Sequence, residues 1–236
     1  MRNLILREKA NSEKYVNYLR KKGVTVGTNV KIYSPSHTLI DTSSPYLITI
    51  GDNVRITHGV VILTHDYSWS VLKLYENNDL KQGAIFGAQS PVNIGNNVFI
   101  GMNALITRGV NIGDNVIIGA SSVVTKDCEA NSVYAGNPAK RIMSITEYRE
   151  KRESAQFSEA KCLVKTYFQK FGCVPPKEIL SEYFMLFCDV DSAKKNTVFQ
   201  KQMKTSNNYE ETLLYMSNNC PMFDDYKDFL EACLNE

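Results

Sequence analysis

Residues 92–128 read VNIGNNVFIGMNALITRGVNIGDNVIIGASSVVTKDC. Every sixth position of this stretch is aliphatic: Ile94, Ile100, Ile106, Ile112, Ile118 and Val124. A small or apolar residue stands four positions after each of these: Val98, Ala104, Val110, Val116, Ser122 and Cys128. A helix repeats every 3.6 residues and a strand every two, so a period of six fits neither element alone. It fits a short strand that ends at a corner, with residues i and i+4 facing inward.

The same phase continues upstream at Ile50, Ile56 and Ile62, with a weaker echo at Val26 and Ile32. Glycine, asparagine or aspartate occupies most of the expected corners, as in IGNN and IGDN. Glycine and asparagine adopt positive φ at low cost, which suits a tight corner. The pattern therefore predicts stacked coils that bury one aliphatic column over the next.

Breaks in the phase divide the chain into three parts. Residues 1–23 contain a short helix, capped by Asn11 or Ser12 and ended by Gly23, which is expected to cap the first coil. Residues 24–144 form the repeat domain, and residues 66–91 interrupt it as a protruding loop. Insertions into repeat proteins map to one face and often carry the functional site.

Residues 145–236 lack the hexad and follow helical spacing. The first helix is expected to end at Gly172, and a second is expected to begin after Pro175 and Pro176 and to include residues 179–187. Two further helices are expected around residues 208–217 and 222–234. The aromatic residues of this part are expected to form the core of a small all-α domain.

Composition excludes several classes of protein. The 236 residues are 43% hydrophobic and 22% charged with a net charge of +2, which argues against a disordered chain and gives no case for nucleic-acid binding. No apolar run is long enough for a membrane span, and the N-terminus lacks the pattern of a signal peptide. The six cysteines form no CxxC pair, so reduced thiols in the cytoplasm are expected.

The hexads, together with the tail VVTKD and NSVYAGNPAKRI, resemble the hexapeptide-repeat acyltransferase family. The resemblance implies a mainly β fold: a left-handed parallel β-helix of three hexads per coil, assembled as a homotrimer. SPSHTLIDTSSPYLITIGDN followed by ITHGVVILTHDYSWSV is most similar to the capsular and exopolysaccharide O-acetyltransferases of that family. Hexad repeats also occur in subunits without activity, so fold alone does not fix function.

The resemblance implies that His65 is the catalytic base, because it stands where the repeat gives way to the loop. Imidazole titrates near neutral pH and suits the removal of a proton from an attacking hydroxyl. Asp66 is a candidate to orient the ring, but Asp41, Glu76 and Asp79 compete with it and the sequence does not rank them. Trp69 either stacks on a sugar or holds the loop to the body.

The resemblance also implies acetyl-CoA as co-substrate. Its contacts are expected to come from two groups of residues. The pantetheine arm would meet the corners near Met102, Ala104, Gly119 and Ala120. The nucleotide end would meet Thr125, Lys126, Lys140 and Arg141, whose cations suit phosphates.

No metal is expected. The histidine spacing of the zinc-dependent β-helix carbonic anhydrases is absent, since His58 and His65 are seven residues apart and no HxxxxH occurs.

Together these features predict an acetyl-CoA-dependent O-acetyltransferase of a sugar hydroxyl in surface polysaccharide biosynthesis, located in the cytoplasm. Three alternatives remain open: an N-acetyltransferase of a nucleotide-linked amino sugar, an acetyltransferase of another small acceptor, and a trimeric scaffold without activity.

Overall fold

The computed structural model describes residues 7–235. Positions 1–6 of the expected N-terminal part, residues 1–23, lie outside the described residues, as does Glu236. The chain forms two compact units that divide after Tyr148.

The first unit begins with a 3₁₀ turn, Arg7–Lys9, and helix α1, Ser12–Lys22. The Asn11 side chain caps α1 by accepting a hydrogen bond from the N–H of Lys14, 2.9 Å away. Gly23 ends the helix in the left-handed conformation, with φ of 103°. Tyr15, Val16 and Leu19 of α1 are buried against the first coil.

Fourteen short strands follow within the described residues: β1 (Thr25–Val26), β2 (Lys31–Ile32), β3 (Leu39–Ile40), β4 (Ile48–Ile50), β5 (Arg55–Ile56), β6 (Val61–Ile62), β7 (Val92–Ile94), β8 (Phe99–Ile100), β9 (Leu105–Ile106), β10 (Asn111–Ile112), β11 (Val116–Ile118), β12 (Val123–Val124), β13 (Ser132–Gly136) and β14 (Ala139–Ser144). Successive strands enter three sheets in turn. Sheet A has the order β1-β4-β7-β10, sheet B β2-β5-β8-β11-β13-β14, and sheet C β3-β6-β9-β12. All pairings are parallel except β13 with β14. The chain is therefore wound into a three-sided coil, and the expectation of parallel strands with added helices is confirmed.

Register shows where the coil is regular and where it is not. Paired residues of the third and fourth coils are 18 apart, as in Phe99 with Ile117, which equals three hexads. The offset between the first two coils is 24 in sheets A and B, as from Thr25 to Thr49, and 22 in sheet C, from Leu39 to Val61. Between the second and third it is 44, from Ile48 to Val92. That offset exceeds 18 by 26, the length of residues 66–91. This segment leaves the coil and contains helix α2, Trp69–Leu74.

The hexad column forms the core of the coil: Ile50, Ile56, Ile62, Ile94, Ile100, Ile106, Ile112 and Ile118 are at most 3% exposed. The corners differ from the expectation in one respect. Positive φ falls on asparagines between sheets A and B: Asn29, Asn53, Asn97, Asn115 and Asn131. The first four of these each stand two residues after a corner glycine, and Asn131 has no such glycine before it. Gly101 instead permits close approach of the coils, because a Cβ there would lie 2.5 Å from the N atom of Ala120.

The second unit contains the helices α3 (Ile145–Phe171, which begins in the first unit), α4 (Val190–Lys195), α5 (Thr197–Met203), α6 (Tyr209–Asn218) and α7 (Tyr226–Leu234). The expected helix over residues 179–187 is wrong. This segment contains the 3₁₀ turns Lys177–Leu180 and Phe184–Leu186, and α4 and α5 follow. Leu186, Phe187 and Cys188 are all buried, and three consecutive buried residues do not fit the single apolar face of a surface helix.

Phe184, Phe187, Phe199 and Phe229 pack together as the aromatic core of this unit. Across residues 7–235, no helix has both the length and the apolar character needed to span a bilayer.

Candidate active site

Three types of corner join the sheets of the coil. The BC corners join sheet B to sheet C at residues 33–38, 57–60, 101–104 and 119–122. The CA corners leave sheet C at residues 41–47, 63–91, 107–110 and 125–127. Both types carry residues that the sequence singled out.

His65 lies on a CA corner, three residues after β6. Its Nδ1 atom lies 2.6 Å from Oδ2 of Asp41, which occupies the CA corner of the preceding coil. The His65 side chain is 40% exposed, whereas that of Asp41 is 7% exposed. A half-exposed imidazole is therefore held by a buried carboxylate.

The Asp41 carboxylate accepts several hydrogen bonds. Oδ2 accepts from the N–H of Thr64 at 3.1 Å and from its hydroxyl at 2.5 Å. Oδ1 accepts from the N–H of Ser43 at 2.9 Å and from its hydroxyl at 2.7 Å. Burial alone would raise the pKa of this carboxyl, but these bonds and the one from His65 outweigh it and hold the pKa well below its ordinary value of 3.8. Asp41 is thus an ionised acceptor.

An ionised acceptor at Nδ1 determines the tautomer of His65. Nδ1 carries the proton that Asp41 accepts, so Nε2 keeps its lone pair. Within residues 7–235, Nε2 of His65 makes no hydrogen bond to a protein group. The arrangement can therefore remove a proton from a ligand at Nε2.

Asp66 does not face the His65 ring. Its carboxylate accepts from the N–H of Ser68 at 3.0 Å and from Nε of Arg108 at 2.6 Å. Hydrogen bonds from Ser68 and then from Arg108 lower the pKa of Asp66 to about 2. Of the carboxylates that competed for His65, only Asp41 reaches it among the described residues, and Glu76 and Asp79 are exposed on the loop.

The two ends of the loop are joined beside His65. The N–H of Asp66 donates to the carbonyl of Ala88 at 3.1 Å, and the N–H of Ser90 donates to that of Thr64 at 2.9 Å. Trp69 begins α2, and its ring meets that of Tyr67 edge-on at 4.7 Å between centroids. The half-buried tryptophan thus contacts the loop itself.

The residues expected to contact CoA fall on different sides of the coil. Met102, Gly119 and Ala120 lie on BC corners, and the N–H groups of Met102 and Ala120 have no hydrogen-bond partner among the described residues. Ala104 follows Met102 but is fully buried, so its side chain belongs to the core.

The remaining expected contacts are exposed cations and a hydroxyl. Thr125 and Lys126 lie on the CA side, two coils beyond His65, and are exposed. Lys140 and Arg141 are exposed on β14.

One chain does not bring His65 and Met102 together. They stand at opposite edges of sheet C, and the extended residues between two such corners separate them by on the order of 15–20 Å.

Sequence reasoning missed Arg108, Ser43 and Thr64. Arg108 could have been noticed in the sequence, because it and Asp114 are the only charged residues in the stretch 92–124. Nothing in the sequence marks Ser43 and Thr64, because their role depends on how the folded chain places them around the Asp41 carboxylate. The part of the chain that is described contains no group of three or more His, Cys, Asp or Glu residues placed to hold a metal ion.

The chain resembles known proteins in both sequence and structure. A family model described as Bacterial transferase hexapeptide (six repeats) matches residues 91–126. Protein CapG of Staphylococcus aureus is 47% identical over 143 residues, which cover 60% of this chain and 78% of CapG. Galactoside O-acetyltransferase of Escherichia coli (strain K12) is 34% identical over 111 residues, which cover 47% of this chain and 49% of that protein.

A solved galactoside acetyltransferase in complex with coenzyme A is 31% identical to this chain. The match has a TM-score of 0.42 and covers 58% of this chain and 73% of that one. The sequence matches confirm the resemblance seen in the repeat: the chain belongs to the hexapeptide-repeat family of bacterial acyltransferases.

Proposed function

We propose that the protein transfers an acetyl group from acetyl-CoA to a sugar hydroxyl, with His65 as the general base. The observation that carries this proposal is the 2.6 Å contact between Nδ1 of His65 and Asp41, which leaves Nε2 available at an exposed position. The sequence match to a galactoside O-acetyltransferase supports a sugar hydroxyl as acceptor. The resemblance to capsular and exopolysaccharide enzymes supports a role in surface polysaccharide biosynthesis, in the cytoplasm.

The proposed reaction is a direct transfer. Nε2 of His65 takes the proton from the acceptor hydroxyl as the oxygen attacks the carbonyl carbon of the thioester. A C–O bond forms and the C–S bond breaks. The CoA thiolate leaves and receives the proton from the imidazolium, so His65 returns to its starting state. Asp41 stabilises the imidazolium in between, because it is already ionised.

The BC corner supports a role in the same step. The free N–H of Met102 is a donor suited to the negative charge that develops on the carbonyl oxygen. The free N–H of Ala120 is suited to an amide of the pantetheine arm. Thr125, Lys126, Lys140 and Arg141 would meet the nucleotide end, where cations match phosphates.

The proposal includes a left-handed coil and a homotrimer. Because His65 and Met102 stand on different corners, a complete site would form between His65 of one copy and Met102 of another. Cyclic assembly gives each copy one such contact. Light scattering should give a mass three times that of the chain, and a monomer at micromolar concentration would contradict the shared site.

The experiment is a thiol-release assay with acetyl-CoA and a panel of acceptors: galactosides, other sugars, amino sugars and serine. His65→Ala should lower kcat by about 10²–10⁴-fold with the best acceptor. His37→Gln, an exposed histidine on another corner, is the control and should keep the wild-type rate. Transfer only to amines would contradict O-acetylation, and absence of transfer to every acceptor would contradict the enzyme assignment. A His65→Ala rate above about a tenth of wild type would remove His65 as the base.

A further inference from the structure

The ion pair between Asp66 and Arg108 connects the loop to the body of the coil next to His65. Arg108 belongs to the CA corner that follows β9, one coil beyond His65, and is 42 residues from Asp66 in sequence. Its Nε atom donates to Oδ2 of Asp66 at 2.6 Å, and the two side chains are 40% and 38% exposed. Neither side chain forms a hydrogen bond with the His65 ring.

The same corner also holds the returning end of the loop. The N–H of Gly109 donates to the carbonyl of Pro91 at 3.0 Å. Gly109 has φ of 81°, and a Cβ there would lie 3.4 Å from Cβ of Ser90. Residues 108 and 109 therefore tie both ends of the loop to one corner, and the bonds between residues 64–66 and 88–90 tie the ends to each other.

His65 lies inside this closed set of contacts. Its backbone forms an antiparallel bridge with Gln89, and its neighbours Thr64 and Asp66 carry the two cross-loop hydrogen bonds. The direction of the imidazole depends on that backbone, since only the Asp41 and Ser43 contacts fix the ring itself. A tilt of the loop base would move Nε2 relative to a bound acceptor.

We infer that Asp66 and Arg108 are a positioning pair that fixes the direction of His65 by clamping the base of the loop. The inference rests on the function proposed above. Exposed ion pairs add little to folding stability, so a role in stability does not account for this one well. Displacement of a catalytic group by about 1 Å is enough to lower a rate by up to about 10²-fold, so a clamp at this place has a catalytic effect.

The experiment is a double-mutant cycle with Asp66→Asn, Arg108→Gln and the double variant. Each single variant should lower kcat by about tenfold and leave KM for acetyl-CoA within about twofold of wild type. The double variant should be no slower than the slower single variant, because either change breaks the same contact. Arg108→Lys should retain more activity than Arg108→Gln.

Two kinetic results would overturn the inference. If Arg108→Gln raises the KM for acetyl-CoA and Asp66→Asn does not, Arg108 acts on a ligand directly. The same conclusion follows if the two losses in kcat multiply in the double variant. If both single variants keep the wild-type kcat, the pair has no catalytic role. Arg152→Gln is the matched control: Arg152 binds Glu159 through two bonds of 2.7 and 2.6 Å at 45% and 38% exposure in the helical unit.

Hydrogen–deuterium exchange tests the clamp without an acceptor. The amides of Asp66 and Ser90 should exchange faster in Asp66→Asn and Arg108→Gln than in wild type or Arg152→Gln. Unchanged exchange at these amides would contradict the clamp even if activity fell. Faster exchange in a protein that transfers no acetyl group would contradict the proposed function and keep the clamp.

Discussion

His65 and Asp41 are 24 residues apart in sequence, yet Nδ1 and Oδ2 lie 2.6 Å apart. The pairing of β3 with β6 produces this contact. Ile40 pairs with Ile62, and the N–H of Asp41 donates to the carbonyl of Ile62 at 3.0 Å. The residues that follow both strands then turn the same corner in adjacent coils. The stacking of the coil, rather than local sequence, thus provides the partner of the histidine.

Replacement of Asp41 by asparagine should lower kcat by about two orders of magnitude. The amide keeps the shape of the carboxyl but removes its charge, so it no longer stabilises the imidazolium or fixes the tautomer of His65. The assay is acetyl transfer at saturating acetyl-CoA. Asp52→Asn is the control, because Asp52 also accepts hydrogen bonds from a threonine but lies on a different corner. Equal rates for both variants would contradict the role of Asp41.

The stability that Asp41 provides should depend on pH. Its folded-state pKa is lowered from the ordinary value of 3.8, so its contribution is fully present above about pH 5 and is lost progressively as the pH falls further. Urea unfolding at pH 7 and pH 3, followed by the fluorescence of Trp69, measures this contribution. The difference in unfolding free energy between wild type and Asp41→Asn should be smaller at pH 3. A difference that stays constant with pH would show that folding does not lower the pKa of Asp41.

The coil could be predicted well from the sequence, because each position of the repeat has the same packing environment in every turn. Each of Ile94, Ile100 and Ile106 must fill the same place in its turn of the coil, so a period of six is visible without any tertiary information. The position of His65 at the start of the loop, where the repeat ends, was visible for the same reason. The choice between Asp41 and Asp66 was not, because it depends on how the irregular first coil, whose offset is 22 at β3 and β6, aligns with the second.

Gly101→Ala should destabilise the coil by about 1–3 kcal/mol. The new Cβ would lie 2.5 Å from the N atom of Ala120 and 2.8 Å from the carbonyl carbon of Gly119, and backbone atoms cannot move aside as a flexible side chain does. Gly87→Ala is the control, because a Cβ at Gly87 has no atom within 4 Å. The control should change stability by about 0.5 kcal/mol or less. Thermal unfolding measures both, and equal melting temperatures would contradict the close approach of the coils.

Three of the six thiols should react in the native protein. Cys162, Cys173 and Cys220 are exposed, whereas Cys128, Cys188 and Cys233 are buried. Burial raises the pKa of Cys128 to about 12, and it is the largest cause that raises the pKa of Cys188 and of Cys233 to about 11. The buried thiols therefore contain little thiolate at pH 8.

A disulfide-exchange reagent should titrate three thiols before unfolding and six after it. A variant with serine at the three exposed positions should give none in the native state. Reaction of more than three thiols without denaturant would show that a buried cysteine is accessible.

The helical unit was less predictable because its core is aromatic and local spacing is ambiguous there. Ile179, Leu180, Tyr183, Phe184 and Phe187 fit the spacing of one helical face. In the structure Ile179, Leu180 and Phe184 instead belong to 3₁₀ turns, and Tyr183 and Phe187 lie in the turns that flank them. Phe184 and Phe187 contact Phe199 of α5. These contacts come from tertiary packing, which overrides local spacing.

The long offset between β4 and β7 has a consequence for engineering. Ile48 pairs with Val92 and Ile50 with Ile94 in the same parallel register as elsewhere in sheet A, although the loop lies between them. The length of the loop is therefore uncoupled from the register of the sheet. Residues 67–87 form a cassette whose splice points are the paired backbones of Asp66 and Ala88. A graft at these points exchanges the surface beside His65 and leaves the hexad column as it is.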